Sequence, residues 1–405
     1  MTYPQGPEPA PRWVPGGRPP GSAQRGVPGG RSTGSAPRIC YVLGTTEGGT
    51  GRHVAMLARG SAAAGLEVTV FGPAATRSLF EPSLEAGRVS FEPVAIGDRP
   101  RPASDVPVLG RLRRLLLATR PDVVHAHGMR AGALAALALR FTPRTHSPYG
   151  RRPGLVVTVH NAPPAGLRAA AIYGLLERIV VRQADVVLCV SSDLSARMLR
   201  IGAREVSRAI VTAPPTRCAG RRPADLTDGG RPIVLAAGRL APQKGFETLI
   251  AAAARWRGRR PQPVVVIAGS GPLAGELAAK ARDLGVDVQF LGQRDDIGDL
   301  LAAAAVFALP SRWEGQPLIL QEAMRAARPI VATDVGGVRD LTGDEAALLV
   351  APDDPDALAV SILKLLEDAD LASRIGKVAA GQAATLPTEH KAVASVIDLY
   401  RRLAP

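Results

Sequence analysis

Only three cysteines occur in 405 residues, and their spacing supports neither a disulfide framework nor a metal site. Cys40 and Cys189 stand in apolar runs and Cys218 in a polar stretch, a usage that fits a reducing cytoplasm. Aromatic residues make up 4% of the chain, so the core must be built from Ala, Val and Leu. No apolar run approaches the roughly eighteen to twenty residues that a membrane-spanning helix needs. Basic and aromatic residues do not interleave and no zinc-finger spacing or nucleic-acid module occurs, which argues against nucleic acid as a partner. Residues 1–36 lack the apolar segment of a secretory signal. Rich in Gly, Pro, Arg and Ser, they cannot bury enough surface to offset chain ordering and read as a disordered tail.

What remains is a chain with an ordinary hydrophobic fraction of 46% and a formal net charge of +14. Its length exceeds what one core usually serves, so two domains of roughly 150 to 200 residues are expected. The positive charge suits an anionic membrane surface or acidic small molecules, and charge alone does not choose between them.

After the tail, short β-rich apolar runs alternate with helical patterns. Strands are predicted at 38–43, 68–71, 122–126, 155–159 and 185–190, with helices at 51–64 and around 173–183. A Pro- and Gly-rich stretch then interrupts the alternation, which resumes with strands at 233–237, 264–268, 286–290 and 305–309 and helices from about Gln243 and after Pro272. Buried strands separated by helices mark α/β folds with a parallel sheet covered on both faces. The expected organisation is a first Rossmann-like domain over 37–212, a linker over 213–231, a second over 232–385, and a terminal segment over 386–405 with a helix at 389–403. Ligands of such folds bind beyond the carboxyl ends of the strands, here in a cleft between the domains.

Chemistry-bearing residues gather at four such ends. The first strand runs into a loop containing Gly48 and Gly49 and followed by Arg52 and His53; the loop is either a tight turn or a contact to phosphate or sugar at a helix N-terminus. The second end carries His125 and His127, which alternation places on one face. His127 is a candidate donor to a sugar hydroxyl, or else a histidine that secures the loop. His160, at the end of another strand, invites the same pair of readings and could orient an acceptor. The third end combines Gly238, Arg239, Lys244 and Gly245. Arg239 can fork onto phosphate oxygens and Lys244 adds a compact charge, so together they suit the negative charge that develops on a departing diphosphate. The fourth end carries Glu314 and Gly315, with Pro317 suited to the first position of the next helix and Glu322 about one and a half turns into it. Glu314 is expected to project from the loop, and the amides near 315–319 are available to sugar oxygens or phosphate. The two carboxylates suit hydroxyl groups of a sugar and a ribose.

These motifs strongly resemble glycosyltransferase family 4, retaining enzymes of the GT-B fold. Gly238-Arg239 with Lys244-Gly245, and Glu314 with Glu322, match the family's G-R-x4-K-G and E-x7-E pattern. Gly48-Gly49, His125-Ala-His127, Gly269-Ser-Gly271-Pro272 and Thr333-Asp-Val-Gly336-Gly337 match in support. The resemblance covers about residues 37–403. It implies catalytic roles for His127, Arg239, Lys244 and Glu314, with the two cations on the diphosphate of a nucleoside-diphosphate sugar, Glu314 and His127 on the transferred sugar, and Glu322 on the ribose. It further implies donor contacts from Gly48, Gly49, Gly238, Gly292, Gly315, Gln316, Pro317, Leu318 and Ile319, metal-independent chemistry with no cofactor, and a terminal helix that crosses back to the first domain. The donor base, UDP, GDP or ADP, stays open.

Two departures stand out. Val211-Thr-Ala-Pro214-Pro215 replaces a segment that in the family often reads Pro-Asn-Gly-Val-Asp, and Gln316-Pro317 replaces an aromatic-Gly pair, with consequences for donor-sugar preference. The acceptor is a hydroxyl, on a lipid-linked or cell-envelope glycan precursor or on a soluble metabolite. Residues 110–120 form a basic, apolar helix that either rests on an anionic membrane, at the inner face of the plasma membrane, or buries its leucines in the domain. A sugar-nucleotide hydrolase, epimerase or phosphorylase, and a noncatalytic sugar-nucleotide-binding assembly protein, are the rival readings.

Overall fold

Continuous runs of Val, Ile, Leu and Ala make strands that are apolar on both faces, and such strands are stable only inside a parallel sheet covered by helices. The structure, a computed structural model, describes residues 36–44, 48–97, 102–140, 152–162, 166–215, 218–227 and 229–404. Apart from Ala36, the expected tail lies outside them.

A seven-stranded sheet is formed by β1 (Arg38–Leu43), β2 (Glu67–Gly72), β3 (Val89–Pro93), β4 (Val123–His127), β5 (Gly154–Val159), β6 (Val186–Cys189) and β7 (Val206–Arg208), in the order β3-β2-β1-β4-β5-β6-β7. A six-stranded sheet follows, from β8 (Ile233–Ala237), β9 (Val264–Ala268), β10 (Val288–Gly292), β11 (Val306–Leu309), β12 (Ile330–Thr333) and β13 (Leu348–Val350), in the order β10-β9-β8-β11-β12-β13. Every pairing between these strands is parallel. The order reverses between β1 and β4 in one sheet and between β8 and β11 in the other, and at such reversals the strand ends diverge to leave a crevice.

The connecting helices are α1 (Gly49–Ala63), α2 (Glu81–Glu85), α3 (Pro102–Thr119), α4 (Met129–Arg140), α5 (Leu167–Gln183) and α6 (Ser192–Arg200) in the first lobe. Then come α7 (Phe246–Ala253), α8 (Ala274–Asp283), α9 (Ile297–Ala303), α10 (Leu318–Arg325), α11 (Val338–Thr342), α12 (Pro355–Glu367), α13 (Ala369–Thr385) and α14 (Glu389–Leu403). Residues 36–405 form one compact unit in which the two sheets face each other across a cleft, the GT-B arrangement.

Several boundaries differ from the sequence reading. Gly48, at φ 92, supplies the turn by itself, so α1 starts at Gly49 rather than Gly51. Pro317 is the N-cap of α10 instead of its first residue, because its ψ of 116 keeps the chain extended until Leu318. In α3 the leucine face is buried through Leu112, Leu115 and Leu116 while Arg113 and Arg114 are exposed, so of the two readings of 110–120 the core-facing one holds. α13 packs on α10 and α11, whereas α14 lies against α1. That contact is close because Gly60 has no side chain: a Cβ there would stand 2.4 Å from Val393 Cγ2.

Candidate functional site

In the first lobe, alternation along β4 puts His125 and His127 on the same side, with ring centroids 4.2 Å apart. His127 Nδ1 lies 3.1 Å from His160 Nε2, and the two rings stack. His53, from α1, stands edge-on to both of these rings at 6.0 Å. His125 is anchored from behind, its Nδ1 2.5 Å from Tyr400 Oη and its Nε2 2.7 Å from Thr158 Oγ1. Tyr400 in turn donates to Tyr41 Oη at 3.0 Å. With that proton so committed, His125 Nδ1 donates to Tyr400 and its Nε2 accepts from Thr158.

Burial lowers every one of these imidazole pKa values. His53 falls to about 4 and His160 to about 3, while His125 and His127 lie well below the usual range, each chiefly through desolvation. The rings are therefore neutral near pH 7, each with one N–H and one lone pair. Among the described residues, His127 Nε2 and His53 Nδ1 have no hydrogen-bond partner.

In the second lobe the loop after β8 is laced to the loop after β11. Gly245, at φ 58, permits the approach: a Cβ there would meet the Pro310 carbonyl oxygen at 2.1 Å. Arg312 N donates to Gln243 O at 2.8 Å, Gln243 Nε2 to Trp313 O at 3.0 Å, and Arg312 Nη1 to Pro242 O at 3.0 Å. This lacing carries Lys244 onto Glu314, whose Oε1 accepts from Lys244 Nζ at 2.5 Å and from Ser311 Oγ at 2.7 Å. Ser311 is held by Thr333 Oγ1, which donates to its carbonyl at 2.5 Å. Glu314 therefore does not project: it is buried, its charge paired with that of Lys244. Ser311 and Thr333 were missed as site residues, although Ser311 stands three positions before Glu314 in the same loop.

Arg239 is exposed at the carboxyl end of β8, and Glu322 is half-buried on α10. Gly292 ends β10 beside Gly269, whose N–H donates to its carbonyl at 2.7 Å, while Gly238 donates to Ala268 O at 2.9 Å. Gly238, Arg239 and Lys244 follow β8, and Glu314 and Glu322 follow β11, its neighbour in the sheet. Gln316 Oε1 is buried and has no partner among the described residues.

Contacts between the lobes complete the arrangement. A Cβ on Gly315 would stand 2.1 Å from the His160 carbonyl oxygen, so the loop bearing Glu314 rests directly on the residue that bonds His127. Gly49 faces Leu318, which packs on the first lobe's core beside Ile319 in sequence. Asp340 of α11 receives Ser192 N and Ser192 Oγ, each at 2.8 Å. Gly49 thus meets Leu318, Gly315 meets His160 beside His127, and Lys244 meets Glu314, with Gly48, Gln316 and Pro317 adjoining them in sequence. Among the described residues no group of three His, Cys, Asp or Glu side chains is disposed to hold a metal ion.

Comparison with known proteins agrees with the fold. Residues 47–214 match the family model for glycosyltransferase family 4, and residues 231–368 match the model for glycosyl transferases group 1. A phosphatidyl-myo-inositol mannosyltransferase of Mycolicibacterium smegmatis is 30% identical over 346 residues, covering 82% of this chain and 84% of that protein. An alpha-D-kanosaminyltransferase of Streptomyces kanamyceticus is 31% identical over 316 residues, 72% of this chain and 79% of its own. Among solved structures, Anabaena Alr3699/HepE in complex with UDP-glucose superposes with a TM-score of 0.73 at 20% identity, covering 90% of this chain and 99% of that one. At that identity the likeness is one of fold.

Proposed function

The chain belongs to glycosyltransferase family 4, retaining GT-B enzymes that use a nucleoside-diphosphate-sugar donor, and we propose that it glycosylates a hydroxyl of a lipid-linked acceptor presented at an anionic membrane surface. Membership sets aside the noncatalytic reading and the hydrolase, epimerase and phosphorylase readings. The observation that carries the proposed site is the Lys244–Glu314–Ser311 contact resting, through Gly315, on the His160–His127 pair.

In this reading Arg239 and Lys244 bind the donor diphosphate and stabilise the charge that grows on it as the sugar-phosphate bond breaks. Glu314, released from Lys244 as that cation turns to phosphate, accepts from hydroxyls of the transferred sugar. Glu322, on α10, accepts from the ribose, and the amides at 315–319 and the glycines at 48, 49, 238 and 292 let backbone approach the donor closely. His127 donates from Nε2 to the sugar. Being neutral, it has only one N–H, so its Nδ1 must then accept from His160 Nε2–H. His160 is accordingly a positioning residue that selects the tautomer of His127. Retention follows from attack on the same face from which the diphosphate leaves, with a phosphate oxygen taking the acceptor's proton.

Two facts support a lipid-linked acceptor: the similarity to a phosphatidyl-myo-inositol mannosyltransferase and the net charge of +14, which draws the chain to anionic surfaces. The inner face of the membrane is the matching location; no helix among the described residues is long and apolar enough to cross a membrane. The similarity to a kanosaminyltransferase supports a soluble small-molecule acceptor as the second reading. A panel of UDP-, GDP- and ADP-sugars incubated with lipid and aqueous extract fractions, read by mass spectrometry, separates them. A new glycosylated mass in the lipid pool is expected; product confined to the aqueous pool rejects the lipid acceptor.

A further inference from the structure

The leucines of α3 face the core; outward apolar side chains in this lobe are Val106 on α3, Leu199 on α6 and a pair on α5 set among arginines. On α5, Ile172 is 46% exposed and Leu175 is 58% exposed. Arg168, Arg178 and Arg182 are exposed as well. At 100° per residue Arg168, Leu175 and Arg182 fall on one line along the helix, with Ile172 and Arg178 on either side of it. The helix's acid, Glu177, lies on the opposite side, buried and doubly bonded by Arg197. An apolar strip bordered by cations, with no carboxylate on its face, has the chemistry of a helix lying in the interface of an anionic bilayer.

We infer that this face of α5 is where the protein docks onto an anionic lipid surface. The inference rests on the proposed membrane-presented acceptor and names the element that would make the contact. Position favours it too. β5 ends at Val159 on the cleft side of its sheet, so α5 starts on that side and carries Ile172 in the half nearer the cleft and Leu175 at its midpoint. A bilayer seated there holds a lipid-linked hydroxyl beside His160 and the opening of the cleft, while the arginines meet the headgroups. A helix face that served only solubility would carry charge throughout, with no Ile and Leu set between its arginines.

The test is co-sedimentation of the full chain with neutral phosphatidylcholine vesicles and with vesicles holding about 30 mol% phosphatidylglycerol, at low and physiological salt. Three doubly substituted variants are compared: Ile172→Gln with Leu175→Gln, Arg178→Gln with Arg182→Gln, and, on α3, Arg113→Gln with Arg114→Gln. All the substituted side chains are exposed, and circular dichroism checks the fold. Wild type is expected to sediment with anionic vesicles alone, each α5 variant to lose roughly tenfold in partitioning, and the α3 variant to stay near wild type. If wild type sediments and the α5 variants match it, α5 is not the docking face, although membrane presentation stands. If wild type binds no vesicle, membrane presentation itself fails and this inference with it. Light scattering that shows a dimer split by Leu175→Gln assigns the face to a second copy of the chain and overturns the inference.

Discussion

The Lys244 ammonium donates to Glu314 Oε1 at 2.5 Å, across 70 residues of sequence. A diphosphate that recruits Lys244 competes with Glu314 for the same cation, and the carboxylate is freed as the donor arrives. Lys244→Ala and Glu314→Gln should each lower transfer by roughly 10²- to 10³-fold. The double variant should lose far less than the product of the two effects, because each single change already breaks the shared contact. Steady-state kinetics on the four proteins measures this; wild-type turnover in either single variant rejects the assigned role.

His160 Nε2 sits 3.1 Å from His127 Nδ1. His160→Ala frees His127 to populate both neutral tautomers, only one of which presents an N–H at Nε2. A fall of roughly tenfold in kcat with donor KM little changed is expected. If the loss is instead confined to thermal stability, His160 is a loop anchor and no more.

Tyr400 reaches from α14 to His125 and Tyr41 inside the first lobe. Tyr400→Phe keeps the ring and removes the hydroxyl, leaving His125 Nδ1 buried without its partner. The cost should be about 1–3 kcal/mol of stability, read from the urea midpoint at unchanged slope. An unchanged midpoint shows that the network contributes nothing net.

The buried histidines also make stability depend on pH with a definite sign. His53 and His160 titrate at about 4 and about 3 when folded, against an ordinary value of 6.5, so between those values the unfolded chain binds more protons. Their contribution is complete above pH 6.5 and is lost as pH falls toward the folded values, at up to about 1.4 kcal/mol per pH unit for each ring. Urea midpoints at pH 7.5, 6 and 5 should decline in that order, and His53→Phe should flatten the decline.

How much of this was legible in the chain follows from what each element has to do. Strands such as Val264–Ala268 read clearly because both of their faces are buried and their residues are uniformly apolar. β7 and β13, each of three residues, are too short for a period to show. Lys244 and Glu314 were recognisable as polar residues at strand ends, yet their bond depends on Arg312 and Gln243 lacing two distant loops, which no local pattern encodes. The 275-residue separation of His125 and Tyr400 hid the second anchor for the same reason. The leucines of 110–120 have one spacing whether they face a core or a bilayer, so only the packed structure tells which surface they meet. That same packing leaves Leu175 facing outward.

The seat of α14 on α1 has a mechanical consequence. The backbone leaves the first lobe after Val211, has joined the second by Leu226, and returns at 386–388, so the lobes are joined twice. A single tether would act as a ball joint, free to pivot in any direction; two act as the pins of a door. Two passages restrain sliding and twisting of the lobes more than swinging about the line through both. Two connections thus favour opening and closing along one arc over many, a path that would return the Glu314 loop to its place beside His160.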